Sequence, residues 1–463
     1  MLSEKLKKYG YFVCLIVLLG GLNCKGAVQG KIEQILSRKD QAKVKFSILI
    51  ADPETGKTVF SRNENLSLIP ASNMKIVTSF AALKYLGKEF EFVTTAAIRD
   101  KNLFIIGSGD PLLGLVDANN SDFISKIVSA IKEQNINEIE GIVIDSSVFE
   151  DNRSHPNWPR DQLNRPYACE VSGLNYNANC VKISAINKDG QIILTTEPQT
   201  DYLTLINKVQ PISKGSSAIG AYRTEKENVV IINGKCRRPA SFDIAIERPA
   251  AFFGVLLAEN LNRSGIKTSG RLTVKSVNPE QMQVIAEQRT AIIDVLARCN
   301  KDSFQLAAES LFKTLGARLI AGGRGGSWRN GQKAAADYLI SLGAEPNNFN
   351  IDDGSGLSSK NKLTADIIVR VLSDAYSSGL WPIFRNTLSA GGIDGTLQKY
   401  FYQNKYRGKV FAKTGYINSV RALSGSFTAG DKEYIFSMLA NDANFNTKVA
   451  MYDIIKAIID EES

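Results

Sequence analysis

Strand patterns at both ends of the chain constrain its fold more than any other feature of the sequence. Near the N-terminus, residues 43–51 and 58–60 have strand composition and are separated by a turn that contains proline and glycine. Near the C-terminus, residues 408–416, 420–428 and 433–439 predict three antiparallel strands with short turns. The sequence therefore predicts one antiparallel sheet of about five strands, which brings the two ends of the chain together.

Between these ends, helical and strand-like regions are segregated. A helix is predicted to start near Ser72 and to end near Gly87. From about residue 90 to residue 288, short β-like runs alternate with turns, which indicates a β-rich insertion. Helical periodicity then returns in four segments: 292–299, 303–320, 328–342 and 364–378. The predicted fold class is α+β, with a helical block beside the sheet.

The first residues predict an export signal. Three lysines precede the apolar run from Tyr11 to Leu22, which is too short to favour a membrane-spanning helix. Cleavage is expected near Gly26 or Ala27, so residues 1–26 are assigned as a signal peptide. Lipidation of Cys24 and an uncleaved anchor remain as alternatives. The expected location is the periplasm or cell envelope.

The charge balance limits the partners. The chain has a formal net charge of +9, part of which belongs to the lysine-rich leader. The remaining positive charge suits an acidic polymer or an anionic cell surface, and it allows peripheral membrane association. No basic tract interleaved with aromatic residues is present, so nucleic acid is not an expected partner. The oligomeric state is left open.

Four cysteines remain after removal of the leader: Cys169, Cys180, Cys236 and Cys299. In an oxidising compartment some of them can pair, and Cys169 with Cys180 is the first choice because they bracket a short loop. Four free buried thiols are the alternative. The cysteine spacing does not suggest zinc.

The single histidine, His155, restricts the chemistry. Multi-histidine metal sites are excluded, and a Ser-His-Asp triad would have to use this residue. Its polar neighbours predict a surface loop. A serine hydrolase built from this sequence would therefore use lysine as its base.

Ser72 and Lys75 form the motif Ser-x-x-Lys at the head of the predicted helix. Residues three apart share a helix face, so the amine can lie beside the hydroxyl and act as its base if burial lowers the lysine pKa. The motif is weak alone because it recurs, and a solvated helix face is the default interpretation of each copy. The other copies are Ser129/Lys132, Ser310/Lys313 and Ser359/Lys362.

Lys413-Thr414-Gly415 ends the first of the three C-terminal strands and occurs once in the chain. A strand edge with a cation can bind an extended peptide that ends in a carboxylate, and the glycine lets that peptide approach closely. The alternative is a charged strand end followed by a turn.

The order of these motifs resembles the penicillin-recognising serine hydrolases. Four longer segments are similar to the D-alanyl-D-alanine carboxypeptidase/endopeptidase family, the class C low-molecular-mass penicillin-binding proteins. They are AKTGYINSVRALSG (412–425), DGSGLS (353–358), GIDGTL (392–397) and GSGDP (107–111). The resemblance covers nearly the whole mature chain, insertion included.

The resemblance implies a role for each matching residue. Ser72 matches the acylated nucleophile, Lys75 its general base, and Ser303 the second serine, which relays a proton to the leaving amine. Lys413 and Thr414 match the groups that hold the substrate carboxylate. The implied oxyanion hole is the backbone N–H groups of Ser72 and Tyr416.

Two positions depart from the family pattern. Gln305 stands where the family has asparagine, so its hydrogen bonds to substrate and to Lys75 are expected to shift. Tyr416 follows Gly415 where the family has a small threonine or serine, and its side chain is expected to narrow the cleft. With Gly415, both belong to the predicted substrate-binding set.

The resemblance implies a β-lactamase/transpeptidase-like domain of residues 27–88 and 289–463, interrupted by β-rich subdomains at 89–288. The implied activity is serine-type D-Ala-D-Ala carboxypeptidase or endopeptidase action on peptidoglycan stem peptides, with β-lactams as covalent inhibitors. No metal or organic cofactor is implied. A catalytically weakened peptidoglycan-binding or scaffolding protein is the alternative, motivated by Gln305 and Tyr416. A β-lactamase on the same fold is the third hypothesis.

Overall fold

The computed structural model describes residues 28–115 and 122–462. The predicted signal peptide lies outside the described residues. No helix within the described ranges combines the length and the apolar character needed to cross a membrane.

The bounds of the helices and strands are as follows. The helices are α1 (28–36), α2 (Met74–Leu86), α3 (Phe123–Glu133), α4 (Pro249–Arg263), α5 (Ile292–Lys301), α6 (Gln305–Leu319), α7 (Trp328–Ser341), α8 (Ala365–Ser377), α9 (Trp381–Thr387) and α10 (Thr447–Glu461). The strands are β1 (Lys45–Ala51), β2 (Thr58–Arg62), β3 (Glu91–Arg99), β4 (Asn102–Ile106), β5 (Glu138–Ile139), β6 (Gly141–Asp145), β7 (Cys180–Lys188), β8 (Gln191–Glu197), β9 (Thr204–Pro211), β10 (Ala218–Arg223), β11 (Val229–Cys236), β12 (Ala240–Ala245), β13 (Lys267–Thr268), β14 (Leu272–Val274), β15 (Gln283–Ala291), β16 (Ser389–Ala390), β17 (Val410–Ile417), β18 (Val420–Ala429) and β19 (Lys432–Asn441).

The two ends of the chain form one antiparallel sheet, as predicted. Its six strands run in the order β16-β17-β18-β19-β1-β2, and β1 pairs with β19 from Lys45 opposite Asn441 to Ala51 opposite Ile435. The sequence predicted five of these strands. The sixth, β16, has two residues, which is too short for an alternating pattern. The predicted α+β fold is confirmed.

The sheet is buried on both faces. Alternate residues of β1 belong to different cores: Ile48 and Ile50 pack with α1 and α10, whereas Leu49 and Ala51 pack with the helices on the other side. The second core contains α2, α5, α6, α7 and α8. The helical block therefore lies against one face of the sheet, the face opposite α1 and α10.

Residues 91–291 form further sheets around a separate apolar core. The largest is five-stranded, in the order β14-β6-β4-β3-β15, and two three-stranded sheets accompany it. The chain enters on β3 and returns on β15, which pair antiparallel with Glu91 opposite Ala291. The entry and exit of this region therefore lie side by side.

Two polar features are placed differently from expectation. His155 is buried, not on a surface loop, because Trp158 and Trp328 pack against its ring. Ser310 and Lys313 are also buried, so the solvated-face interpretation is wrong for that pair. The Lys313 amine donates to the Asn152 carbonyl at 2.8 Å and lies 4.0 Å from the Trp328 ring centre.

The cysteines that the structure describes are free and buried: Cys169, Cys180, Cys236 and Cys299. The bridge between Cys169 and Cys180 is therefore not formed, and the alternative of free thiols describes the structure. Burial raises the pKa of the Cys169 thiol to about 12, which keeps it protonated and unreactive at neutral pH.

Candidate active site

Ser72 lies on a one-turn 3-10 helix, Ala71–Asn73, that leads directly into α2. The turn is strained, because Ala71 has a φ of +46°. It is also anchored from the sheet: the Asn441 amide of β19 accepts from the Ile69 N–H at 3.0 Å and donates to the Ile69 carbonyl at 3.1 Å. The nucleophile candidate thus stands on a rigid turn rather than inside a helix.

Lys75, in the first turn of α2, is fully buried. Its amine donates to the Ser355 carbonyl at 2.7 Å and to the Ser72 hydroxyl oxygen at 3.2 Å. Burial lowers the pKa of Lys75, and the nearby Cys299, Glu309 and Asp353 oppose that shift. The predicted juxtaposition of hydroxyl and amine is present, and a lysine with a lowered pKa can take the hydroxyl proton.

Glu309, a buried carboxylate that the sequence analysis missed, holds the loop whose Ser355 carbonyl accepts from Lys75. Glu309 of α6 accepts from the backbone N–H of Ser355 at 2.7 Å, from that of Gly354 at 3.1 Å and from the Trp328 indole at 2.8 Å. Burial, and then the charge of Asp353, raise the pKa of Glu309 to about 7. A glutamate in the apolar run of α6 was the signal that could have identified it.

The loop 353–358 is held from within by Asp353. Its carboxylate accepts from the backbone N–H groups of Gly356 and Ser358, each at 2.7 Å, and from the Trp158 indole at 2.8 Å. The Asn361 amide adds a further bond at 2.7 Å. A fully hydrogen-bonded carboxylate of this kind fixes the loop that presents the Ser355 carbonyl to Lys75.

Ser303 lies in the short connection between α5 and α6 and has a φ of +58°. The predicted helix start at Ser303 is therefore wrong, because a residue in the left-handed region cannot continue a right-handed helix. Ion pairs hold the connection, Arg298 with Asp302 at 2.8 Å and Lys301 with Asp394 at 2.6 Å. Ser303 is partly exposed.

Gln305 is the first residue of α6 and is partly exposed. Within the described residues its amide makes no hydrogen bond to Lys75, whose partners are Ser72 and Ser355. The predicted hydrogen bond from Gln305 to Lys75 is therefore not formed in the described structure.

Lys413 of β17 is fully buried, and its amine donates to the Thr414 carbonyl at 2.9 Å. The Asn73 amide, next to Ser72, donates to the Lys413 carbonyl at 3.0 Å, which ties β17 to the turn that carries Ser72. Burial, and then the charge of Lys75, lower the pKa of Lys413 to about 7. Lys75 and Lys413 are therefore close enough for the charge of one to lower the pKa of the other.

The edge of β17 is open beside the site. The short strand β16 pairs with β17 only at Ala412 and Phe411. The Val410 carbonyl accepts from Gly391 across this edge at 2.8 Å. Because backbone groups alternate along a strand, those of Thr414 and Tyr416 face the same edge. The Thr414 carbonyl already accepts from the Lys413 amine at 2.9 Å, and the other groups of this edge can pair with an added peptide strand.

Gly415 is required by the protein's own packing. A Cβ at this position would lie 2.9 Å from the Pro70 carbonyl oxygen and 3.1 Å from the Asn73 amide nitrogen. The glycine therefore lets β17 approach the turn that carries Ser72, a packing role that the sequence analysis did not predict.

The Tyr416 ring lies on the face of β17 opposite Lys413, because side chains alternate along a strand. It is 70% exposed and stacks 4.0 Å from the guanidinium of Arg421, its partner on β18. The ring is thus directed away from the space between Ser72 and Lys413.

Residues 28–460 match the model of the D-Ala-D-Ala carboxypeptidase 3 (S13) family. The chain belongs to this family. It is 26% identical over 439 residues to a D-alanyl-D-alanine carboxypeptidase of an Actinomadura species, covering 88% of this chain and 80% of the relative. It is 23% identical over 413 residues to the D-alanyl-D-alanine carboxypeptidase DacB of Haemophilus influenzae, covering 84% of each chain.

Solved structures agree with the fold of this S13 peptidase. The crystal structure of penicillin binding protein 4 from Haemophilus influenzae matches with a TM-score of 0.78 and 20% identity, covering 92% of this chain and 98% of the other. A predatory peptidoglycan endopeptidase from Bdellovibrio bacteriovorus matches with a TM-score of 0.51 and 15% identity, covering 91% and 94%. Membership of the family, with relatives named as D-alanyl-D-alanine carboxypeptidases, makes the chain a serine-type enzyme of the D-Ala-D-Ala carboxypeptidase class.

The site of this S13 peptidase combines four chemical elements. They are a hydroxyl on a strained turn, a buried amine within reach of it, a second buried amine on a strand, and an open strand edge. Together they suit acyl transfer from an extended peptide. Within the described residues, no group of three or more His, Cys, Asp or Glu side chains is placed to hold a metal ion.

Proposed function

We propose that Ser72 is the nucleophile and Lys75 the general base of a D-Ala-D-Ala carboxypeptidase/endopeptidase. The observation that carries the proposal is the 3.2 Å contact between the amine of the fully buried Lys75 and the hydroxyl of the partly exposed Ser72. Ser72 Oγ attacks the D-Ala carbonyl carbon while its proton passes to Lys75 Nζ. The collapse of the tetrahedral species breaks the C–N bond and leaves an acyl-enzyme, which water hydrolyses.

The remaining residues hold the substrate and move the second proton. Lys413 and Thr414 bind the carboxylate of the leaving residue, and Ser303 delivers a proton to the leaving amine. The outward backbone of β17 supports the assignment of the Tyr416 N–H, with that of Ser72, as the oxyanion hole. Gln305 and Gly415 line the peptide path.

The substrate proposed is the stem peptide of peptidoglycan, cleaved at a terminal D-Ala-D-Ala or at a D-Ala cross-link. The names of the relatives support this class, and one matched structure is a complex of the Haemophilus influenzae protein with a β-lactam. β-Lactams are therefore proposed as covalent inhibitors. Export by the leader to the periplasm or cell envelope follows from the same substrate, with peripheral membrane association aided by the basic surface.

We also propose the division of the chain that the sequence suggested. Residues 27–88 and 289–463 form the peptidase domain, and residues 89–288 are inserted subdomains. The side-by-side entry and exit strands, β3 and β15, support this division.

The experiment that tests the mechanism is labelling with a fluorescent penicillin, followed by mass spectrometry of the adduct. The wild type should carry the adduct on Ser72, and Ser72→Ala should carry none. The matched control is Ser310→Ala, because Ser310 and Lys313 repeat the motif in a buried helix and the Ser310 hydroxyl has no hydrogen-bond partner in the described chain. An adduct that persists in Ser72→Ala would reject the assignment.

Penicillin labelling, together with a muropeptide hydrolysis assay, also tests the alternative of a peptidoglycan-binding protein without activity. A folded wild type that forms no adduct and hydrolyses no muropeptide would support the peptidoglycan-binding alternative. Slow release of penicillin with turnover of muropeptide separates a peptidase from a β-lactamase.

A further inference from the structure

A small cavity of about 160 Å³ adjoins the active-site strand on the face opposite Ser72. We name it the Arg421 cavity. The lining side chains that matter here are Thr396, Tyr400, Thr414, Tyr416, Arg421 and Lys448. Thr414 connects it to the active site, because this residue belongs to the open edge of β17 and its hydroxyl donates to Thr396 Oγ1 at 2.9 Å.

Arg421 supplies a buried positive charge to the cavity. The residue is only 8% exposed, yet within the described residues it has no carboxylate partner. One terminal nitrogen donates to the Val420 carbonyl at 2.8 Å and to the Ile417 carbonyl at 3.2 Å, and the buried Nε has no hydrogen-bond partner there. A buried guanidinium without a counter-ion is costly, and an anionic ligand would remove that cost.

Lys448 of α10 adds a second cation. Its amine donates to the Tyr400 hydroxyl at 3.1 Å and lies 4.7 Å from the Phe445 ring centre. Within the described part of the chain it also makes no ion pair, and none of the described residues that line the cavity is acidic. Two cations with no acidic neighbour make the cavity an anion site by charge.

The surroundings suit a peptide rather than a free ion. The rings of Tyr416 and Phe445 are 70% and 71% exposed and stand beside Arg421 and Lys448 respectively. Exposed aromatic rings next to cations are typical of binding surfaces. The open edge of β17 leads an extended peptide past this rim.

We propose that the Arg421 cavity binds a carboxylate of the leaving peptide other than the one held by Lys413 and Thr414. The inference rests on the proposed function, which places the leaving group at Thr414. Released D-alanine has a single carboxylate, whereas the stem peptide released from a cross-link carries additional ones. The cavity therefore acts as a specificity site that favours the cross-linked substrate over the terminal D-Ala-D-Ala.

The test compares KM and kcat for two substrates: a stem pentapeptide ending in D-Ala-D-Ala, and a cross-linked muropeptide dimer. Arg421→Gln and Lys448→Gln should each raise KM for the dimer about tenfold, as expected for a lost charge-assisted hydrogen bond, with KM for the pentapeptide unchanged. Arg421→Lys should recover part of the loss. The matched control is Lys456→Gln, which removes the same charge from α10 beside the ring of Tyr406, outside the cavity.

Lys448→Gln is the decisive variant because Arg421 also bonds the turn between β17 and β18. Penicillin labelling of Ser72 at the wild-type rate confirms that the site of each variant is intact. Equal changes for the two substrates, or none for the dimer, would overturn the inference. A wild-type enzyme that hydrolyses the pentapeptide but not the dimer would also overturn the inference. That result would not contradict the proposed function. Hydrolysis of neither substrate would instead contradict the proposed function.

Discussion

The Lys75 amine lies 2.7 Å from the Ser355 carbonyl oxygen and 3.2 Å from the Ser72 hydroxyl oxygen. The shorter bond anchors the amine to the loop 353–358, and the longer one leaves it free to exchange a proton with Ser72. The orientation of the Ser355 peptide therefore sets the position of the base. Glu309 holds the preceding peptide group by accepting from the Ser355 N–H at 2.7 Å, and Asp353 holds the peptide that carries the carbonyl by accepting from the Gly356 N–H at 2.7 Å.

Glu309→Gln should slow acylation of Ser72 by penicillin by about 10- to 100-fold, since small misplacements of a catalytic group have effects of this size. A carboxamide has one acceptor oxygen for three N–H donors, and its NH2 group would face one of them. The charge of Glu309 also raises the pKa of Lys75, as does that of Asp353. In the variant, the acidic limb of the acylation rate should therefore shift to lower pH.

The control for this substitution is Glu433→Gln, which alters another glutamate that accepts from an indole, that of Trp381 at 2.9 Å, without contacting the loop. Both variants should unfold at similar temperatures. If Glu309→Gln is acylated at the wild-type rate and its acidic limb does not shift, Glu309 does not position Lys75 through the loop.

Lys413 should give the reaction a basic limb. Its pKa is lowered to about 7 in the free enzyme, so it loses its charge as pH rises through this value and no longer attracts a carboxylate. We expect kcat/KM to fall above about pH 7, while kcat falls at higher pH because a bound carboxylate raises the pKa of Lys413 again. The measurement is a pH profile with two thioesters, whose leaving groups end in a carboxylate or in an amide. Only the thioester whose leaving group ends in a carboxylate should lose kcat/KM above about pH 7. The same loss with both thioesters would assign the basic limb to a group other than Lys413.

Gly415→Ala should destabilise the protein by about 1–3 kcal/mol, the usual range for overpacking. The added methyl group meets the Pro70 carbonyl and the Asn73 amide, so it pushes β17 from the nucleophile turn and should also slow acylation. Denaturant unfolding and penicillin labelling measure the two effects. Gly220→Ala is the matched control, because a Cβ on this β10 glycine meets only the Asn233 amide oxygen, at 3.9 Å. Equal stability of the two variants would show that β17 can move without loss.

Gln305→Ala should raise KM for the stem pentapeptide and leave the acidic limb of kcat unchanged. Within the described residues Gln305 does not bond to Lys75, so its removal affects the peptide path rather than the base. The steady-state constants across pH measure this. A shifted acidic limb would show that Gln305 reaches Lys75 during turnover.

The sequence predicted the elements whose pattern is local. Strands β1, β17, β18 and β19 alternate or run apolar over seven residues or more, and their turns contain clear signals. The exposed strands β9 and β10 have mixed patterns and were not predicted. Their pairing depends on distant partners, which a local window does not contain.

The candidate site was predicted where a motif lies within a few residues, as at Ser72 with Lys75. The hydrogen bonds that hold Lys75 in place were not predicted, because their partners are distant in sequence. The Ser355 carbonyl, for example, is 280 positions from Lys75. His155 and Lys313 show the same limit. His155 stands among polar neighbours in sequence and Lys313 repeats a motif with a solvated default, yet Trp328 packs against both from a distant position. Whether a polar residue is solvated depends on tertiary packing, which spacing alone does not determine.

The antiparallel pairing of β1 with β19 has a consequence for the order of assembly during synthesis. The Asn441 side chain that anchors Ile69, and hence the Ser72 turn, is made 372 positions later than the residue it holds. A nascent chain that has not reached Asn441 lacks the side chain that anchors this turn. Contacts of such long range also form slowly. We therefore expect the ribosome to release each copy without a working nucleophile, so that the ability to cut cell-wall peptides arises only once the full chain has folded.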